Sequence, residues 1–342
     1  MSLDANAIQS AVRKIAGGDG LTVDESRAAF ELIVSGEGSA AQISALLMGM
    51  RVKGETPDEL AGVVQAFRGA MLRIQASQPE DLVDTCGTGG GTIHTFNIST
   101  AAALLAAGLG VRIAKHGNRS FTTKCGSADV LEALGVKIEV DVGTMQRALA
   151  EAGIMFMFAP LMHPAMRHVG PVRRELMIPT VMNVVGPLAN PAMAGRQVIG
   201  VAEDRRVPLL AGAIRALGTR HTMVVHGTGM DEISPLAPTH VVEIRDGRTT
   251  EWSINPSEFG YSGLTASDLA GSTPDVNANI ILAALKGDAN RAVRGALVLN
   301  AGAALYVAGK APSFREGVAA AEKGVDSHAG LAGLERLRAA YR

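Results

Sequence analysis

The run Gly87-Thr88-Gly89-Gly90-Gly91-Thr92 follows the short segment Leu82-Val83-Asp84-Thr85, and glycines there can turn successive backbone N–H groups inward on a phosphate or diphosphate. Just downstream, Asn97, Ser99 and Thr100 supply side-chain oxygens at the start of an alanine-rich helix, whose first N–H groups also favour anions. Ordinary helix capping would need only one of the three. The loop is not a dinucleotide fingerprint, because Thr92 stands where G-x-G-x-x-G requires its third glycine. No G-K-[ST] occurs anywhere to make a nucleotide P-loop.

Further along, Lys115-His116-Gly117-Asn118-Arg119 closes a second apolar run and offers a second wall with an ammonium, an amide and a guanidinium. Ser127, in Gly126-Ser127-Ala128-Asp129, reads as a helix N-cap with Lys124 nearby, or as a phosphate contact. Asp231-Glu232 follows the turn Gly227-Thr228-Gly229. In a loop both carboxylates can approach one hydrated Mg²⁺, and a solvated surface turn is the alternative. Arg173-Arg174 suits bidentate capture of a carboxylate or lies in solvent. His163 has no metal-spaced partner, so a packed histidine and a ligand contact both stand open.

These residues need strand ends and helix starts to hold them. Residues 4–72 read as consecutive short helices, the fourth opened by the capping box Thr56-Pro57-Asp58-Glu59. From Asp81 strands and helices alternate: strands at Leu82–Thr85, Val111–Ala114, Val136–Val140 and Ile154–Phe158, helices at Ile98–Leu109 and Ser127–Leu134. Residues 163–191 break the alternation with helical, proline-rich sequence; strands resume at Gln197–Ala202, Met223–His226 and Val241–Ile244. Turn formers dominate from Thr249 to Ala278, where no element is placed, and helices are expected at Asp288–Ala308 and Phe314–Ala320. The class is α/β, with a largely parallel sheet.

The 342 residues suit about two domains. With 47% apolar and 19% charged residues, the chain can bury a large core and is not disordered. Its 32 basic and 33 acidic side chains sum to −1, which provides no global field for nucleic acid or an anionic membrane, so neither partner is expected. Cys86 and Cys125 form no CxxC, which points away from a cysteine zinc site and toward a reducing compartment. Around Asp4, Arg13 and Lys14 there is no apolar signal core, and no apolar run reaches the roughly 18 residues of a membrane span. The expectation is an unprocessed cytoplasmic protein.

Taken in order, Gly87-Thr88-Gly89-Gly90, Asn97-Ile98-Ser99-Thr100, Lys115 to Arg119, Gly126 to Asp129, Val172-Arg173-Arg174-Glu175-Leu176, Asn183 to Pro191 and Asp231-Glu232 resemble the anthranilate phosphoribosyltransferase family. That resemblance implies a small all-helical domain, residues 1–73 and 163–191, which forms a homodimer. It also implies a larger α/β domain, residues 74–162 and 192–342, with a mainly parallel central sheet of the nucleoside phosphorylase-like phosphoribosyltransferase fold. The implied reaction is Mg²⁺-dependent transfer of phosphoribose from phosphoribosyl pyrophosphate to the amine of anthranilate, in tryptophan biosynthesis. By the same resemblance Gly87, Thr88, Gly89, Gly90, Thr95, Asn97, Ser99, Thr100, Lys115 and Ser127 hold the donor. Gly87, Asn118, His163 and Arg173 line the anthranilate side, Ser99 ligates one Mg²⁺, and Asp231 and Glu232 the other. No covalent or acid–base catalytic residue is implied. The chain departs from the family at Gly91, where aspartate is usual, and at Thr92-Ile93-His94, where another glycine usually follows. Pyrimidine nucleoside phosphorylases share the implied fold and glycine loop; Asn118 and Arg173 favour anthranilate as acceptor.

Overall fold

A computed structural model describes residues 6–120 and 124–342; Asp4 and the first five residues of the expected helical domain lie outside the described residues. Four helices come first: α1 (Ala7–Ala16), α2 (Val23–Ser35), α3 (Ala40–Lys53) and α4 (Pro57–Ala70). Then follow β1 (Val83–Gly87), α5 (Ile98–Gly108), β2 (Ile113–Gly117), α6 (Ser127–Ala133), α7 (Val142–Ala152) and β3 (Ile154–Phe158). Three helices interrupt the sheet, α8 (Ala159–Met162), α9 (Met166–Leu176) and α10 (Met182–Val185). The chain continues through β4 (Arg196–Gly200), α11 (Val207–Leu217), β5 (His221–Gly227), β6 (Thr239–Arg245) and β7 (Arg248–Ile254). It closes with α12 (Pro274–Lys286), α13 (Arg291–Val307), α14 (Phe314–Asp326) and α15 (Ala329–Ala340).

Two compact units result. The first comprises Met1–Arg73, Pro160–Pro191 and Pro208–Gly218. Its α4 starts as the capping box dictates: Glu59 N donates to Thr56 Oγ1 (3.2 Å) and Thr56 N to Glu59 Oε2 (2.9 Å), with Pro57 in the first turn. The buried Glu59 carboxylate also accepts from Leu21 N (3.0 Å) and pairs with Lys53 (3.0 Å), so its charge is well compensated. The Arg68 guanidinium reaches the Leu188 carbonyl (2.9 Å), fastening the 160–191 segment to α4. Most of α11 joins this unit because Gly212 lies against Pro57; a Cβ there would sit 2.7 Å from Pro57 Cγ.

The second unit comprises Ile74–Ala159, Ala192–Val207 and Thr219–Arg342. Its seven-stranded sheet runs β3-β2-β1-β4-β5-β6-β7. The first five strands are parallel, while β6 and β7 pair antiparallel. Strand order therefore reverses between β1 and β4, and the carboxyl ends of those strands form the crevice where open α/β sheets receive ligands. The alanine-rich α5 and the almost wholly buried α13 supply much of the core, each buried leucine contributing about 1.5–3 kcal/mol. Both sheet edges are guarded. β7 exposes Arg248, Thr249, Thr250 and Glu251, while on β3 the Tyr341 hydroxyl accepts from Phe156 N and donates to Phe156 O, both at 2.8 Å.

Val136–Val140 does not form the expected strand. Val136 and Ile138 are buried, which produces the alternation, but the segment is an unpaired extended link into α7. Between Thr249 and Ala278, where the sequence places no element, the chain forms β7 and the start of α12. No helix among the described residues is long and apolar enough to cross a membrane.

Candidate functional site

The parallel strands β1, β2, β4 and β5 all end in glycine at one edge of the sheet: Gly87, Gly117, Gly200 and Gly227. The reason is close approach by other chain segments. A Cβ on Gly87 would overlap the Asp231 carboxylate, and one on Gly200 the Asp231 carbonyl. The loop after β1 is held from inside: Thr88 N donates to Gly200 O (3.0 Å), Ala202 N to Thr88 Oγ1 (3.1 Å), and Gly89 N to Asp231 Oδ2 (2.8 Å). Gly89 and Gly90 have φ of +71° and +84°, with open space where a side chain would be. This is a rigidly tethered loop whose outer backbone faces open space.

Asp231 and Glu232 are half-buried and not fully solvated. Burial raises the proton affinity of the Asp231 carboxyl, with the Gly89 N–H opposing. Burial, then the charge of Asp231, raises that of Glu232; Lys115 and Ser99 oppose the shift. Ser99 N donates to Glu232 Oε1 (3.0 Å), which joins the start of α5 to the turn after β5. The Lys115 ammonium, 3% exposed, donates to Thr85 O (2.6 Å) and Ser99 Oγ (3.2 Å). Its burial lowers its proton affinity, with Asp84, Cys86 and Glu232 acting against that. Lys115 thus forms the floor of the site beneath Ser99. Two adjacent carboxylates and a hydroxyl make an all-oxygen set that fits Mg²⁺, whose charge would offset the under-compensated acids. Among the described residues no three His, Cys, Asp or Glu side chains form a metal-binding group.

Asn97 stands at the N-cap of α5 without capping it; its side chain meets Cys125 and Asn277 instead. Thr95 pairs with Ala270 in a short bridge that straps the end of the loop. The Thr100 hydroxyl is enclosed without a partner among the described residues, and the residue borders a void of about 10 Å³ shared with Leu104 and Leu131. Its side-chain oxygen is therefore not offered at the start of the helix as the sequence suggests, and its N–H donates to Asn97 O (3.1 Å). Ser127 is not the N-cap of α6. Gly126 is, and the Asp129 carboxylate accepts from its N–H (2.7 Å). Ser127 Oγ accepts from Asn118 N (3.2 Å), bracing the loop after β2. Asn118 is half-buried, its Oδ1 accepting from Arg119 N (2.8 Å). Arg119 is committed elsewhere: its guanidinium pairs with Asp129 (3.1 Å) and Glu132 (3.0 Å) on α6, not with the loop.

His163 and Arg173 belong to the first unit. His163 is buried and held at the Ala189 carbonyl, and burial pushes its pKa down to about 4, so it is a neutral packed histidine at pH 7. Arg173 on α9 is half-buried, which lowers its proton affinity somewhat, and its guanidinium has no protein partner among the described residues; Arg174 is exposed. At Gly91 a Cβ would lie 2.9 Å from Gly229 O and 3.7 Å from Asp231 Oδ1. A side chain there would crowd the carboxylate turn, and the Thr92 hydroxyl already contacts Gly229 O (3.4 Å).

Sequence reasoning missed Asn300 on α13, which clamps the Ile233 peptide beside Glu232: Ile233 N donates to its Oδ1 (3.0 Å) and its Nδ2 to Ile233 O (2.9 Å). It also missed Asn277 and Gly271; a Cβ at Gly271 would lie 2.5 Å from Thr95 O. The Thr273-Pro274-Asp275 start signal of α12 could have revealed the element that carries Asn277.

A helical bundle and an α/β unit with a tethered glycine loop at its switch point define the class. Residues 9–71 match the glycosyl transferase family helical bundle domain, and residues 79–331 match the glycosyl transferase family a/b domain. Among curated relatives, the chain is 49% identical to an anthranilate phosphoribosyltransferase of Rubrobacter xylanophilus, over 96% of each chain. It is 46% identical to that of Anaeromyxobacter sp. (strain K), over 97% of this chain and 98% of the relative. The chain belongs to the anthranilate phosphoribosyltransferase family. The solved enzyme of Thermus thermophilus superposes with a TM-score of 0.91 at 40% identity, covering 97% of this chain and 99% of the other. The Saccharomyces cerevisiae enzyme, solved in complex with phosphoribosyl pyrophosphate and Mg, gives 0.88 at 26% identity, covering 99% of each. A further structure of the yeast enzyme contains 4-fluoroanthranilate, with a TM-score of 0.86 at 26% identity and 99% coverage of each.

Proposed function

We propose that the protein transfers phosphoribose from phosphoribosyl pyrophosphate to the amine of anthranilate, giving N-(5-phosphoribosyl)anthranilate and diphosphate. The observation that carries this reading is the meeting, at one sheet edge, of the tethered Gly87 loop, Ser99, Lys115 and the Asp231-Glu232 pair. Gly87, Thr88, Gly89 and Gly90 of the loop after β1, the start of α5 with Asn97, Ser99 and Thr100, and flanking Thr95 and Ser127 hold the diphosphate sugar. Ser99 would hold one Mg²⁺ and Asp231 with Glu232 the other, and the bound metal would neutralise the charge gathering on the diphosphate.

In the reaction the bond between the ribose anomeric carbon and diphosphate oxygen breaks, the electron pair leaving with diphosphate, while the anthranilate nitrogen forms the new bond and releases a proton to water. Lys115, at the floor of the site, stabilises the leaving charge in place. The aromatic amine is already neutral near pH 7, so orientation matters more than a general base. Arg173, whose fork is left open by the described residues, takes the anthranilate carboxylate, aided by Asn118, His163 and the Gly87 backbone. Residues 1–73 and 163–191 act as a dimer-forming helical domain. Exposed Val52 and Met177, at 74% and 87%, support a homodimer through this part. Membership in an amino-acid biosynthetic family supports a cytoplasmic setting.

Loss of anthranilate fluorescence that requires both phosphoribosyl pyrophosphate and Mg²⁺ is the expected result with purified protein. Phosphorolysis of uridine or thymidine in its place would overturn the reading. Arg173→Ala is expected to raise the KM for anthranilate by about tenfold or more, leaving that for the donor within about twofold. Equal effects on both substrates would remove the carboxylate role.

A further inference from the structure

Asn277 is 2% exposed on α12, and nothing in its position in the sequence connects it to the loop after β1. A carboxamide presents an oxygen and an NH₂ of nearly the same shape, so its orientation is fixed only by its partners. Here both ends of a short relay are backbone groups, whose polarity cannot change. Ser272 N–H must donate, and it meets Asn277 Oδ1 at 2.7 Å. The Asn277 NH₂ therefore faces Asn97, and donates to Asn97 Oδ1 at 3.0 Å. Cys125 Sγ donates to the same oxygen at 3.3 Å. The Asn97 NH₂ is thereby turned the other way, where one N–H meets the Cys125 carbonyl at 3.3 Å and the second has no protein partner among the described residues.

We infer that Asn277 is a positioning residue, which fixes the Asn97 amide with its NH₂, not its oxygen, presented to the diphosphate sugar. The inference rests on the donor-binding reading of Asn97. A diphosphate, whose oxygens only accept, gains from a donor at that place and is repelled by an acceptor. The relay also explains why Asn97 leaves its N-cap position uncapped. Its side chain is held for another task.

The test is Asn277→Asp, followed by the KM for each substrate at pH 8 relative to the unaltered protein. A carboxylate keeps the Ser272 bond but sets a second acceptor against Asn97 Oδ1, so the amide turns over. The neighbouring Cys125 thiol, its pKa raised to about 11 by burial and by Asp129, stays protonated throughout. The expected result is a rise of about tenfold in the KM for phosphoribosyl pyrophosphate at pH 8. The KM for anthranilate stays within about twofold. A donor KM that does not rise, or equal changes in both KM values, overturn the inference. If the aspartate variant does not fold, Asn277→Ser carries the same split between substrates, support and refutation being read the same way at pH 8. Absence of donor-dependent turnover in the unaltered protein would instead overturn the underlying assignment.

Discussion

Strand β5 joins two regions that bury acid in opposite ways. At its start, His221 lies beside Glu243 of β6, whose carboxylate receives His221 Nε2 (2.7 Å), Tyr306 OH (2.8 Å) and Trp252 Nε1 (2.9 Å). These donors outweigh burial and hold Glu243 below the usual carboxylate range. Beyond its end, the Asp231 and Glu232 carboxyls are drawn the other way, because burial outweighs the backbone N–H groups that reach them. A carboxylate supplied with enough protein donors holds elements together. One left short of them is arranged for a charge that arrives with substrate.

The strongest way to break this contrast is to neutralise the pair. Asp231→Asn or Glu232→Gln is expected to lower kcat/KM by roughly 100-fold or more. Without metal at pH 8, the melting temperature should not fall. Since the folded pKa values lie above the unfolded ones, the native state binds more protons, and these acids destabilise most at high pH. The relative stability gain from neutralising them therefore shrinks as pH falls through the folded values. Added Mg²⁺ should raise the melting temperature of the unaltered protein but not of Asp231→Asn. Thermal scans with and without metal check both points, and an active, metal-responsive Asp231→Asn would dissolve the contrast.

Next in size is Glu243→Gln, expected to cost about 1–3 kcal/mol of stability at pH 7 with little change in rate below the melting transition. The sign with pH is reversed. The folded pKa lies below the unfolded value of about 4.3, so the contribution is complete above that value and is lost as pH falls toward the folded one. The difference between the two proteins in denaturant titrations should be smaller at pH 3.5 than at pH 7. A constant difference would mean that Glu243 acts through packing alone.

A smaller effect sharpens the other side. Gly91→Asp would add a carboxylate near Asp231 Oδ1, at the cost of displacing the Gly229 turn. The Mg²⁺ concentration giving half-maximal rate is expected to fall about two- to fivefold, with a modest loss in maximum rate. Metal titration of initial rates measures it, and no shift would detach position 91 from the metal. Smallest of all, Cys86→Ser with Cys125→Ser should leave kcat within about threefold, since serine keeps a donor toward Asn97 and no covalent intermediate is needed. Abolished turnover in a folded double variant would contradict that.

The glycine loop, the start of α5, Lys115 and the Asp231-Glu232 pair were legible in the sequence because each sits where a strand or helix changes direction, and Gly, Ser, Lys and Asp leave a signature there. The helical domain was legible through Thr56 and Glu59. Asn277 and Asn300 were not, since an asparagine inside an amphipathic helix reads as a polar residue on either face, and only long-range packing brings it to Asn97 or Ile233. The Val136–Val140 alternation misled because burial of alternate residues needs no ladder partner. At Ser127 a preferred capping residue was displaced by one position, because Asp129 supplies the cap from inside the helix and frees Ser127 Oγ for Asn118. β7 was hidden by Arg248, Thr249 and Glu251, the polar residues that protect an edge.

The Tyr341 hydroxyl that closes the β3 edge lies 185 positions beyond the Phe156 peptide it occupies. At about 5–20 residues per second, the ribosome takes roughly 10–40 s to deliver it. Throughout that interval a nascent chain carries an apolar strand with an open hydrogen-bonding edge. The order in which the polypeptide is made therefore sets a window of vulnerability to misassembly, and the late tyrosine brings it to a close.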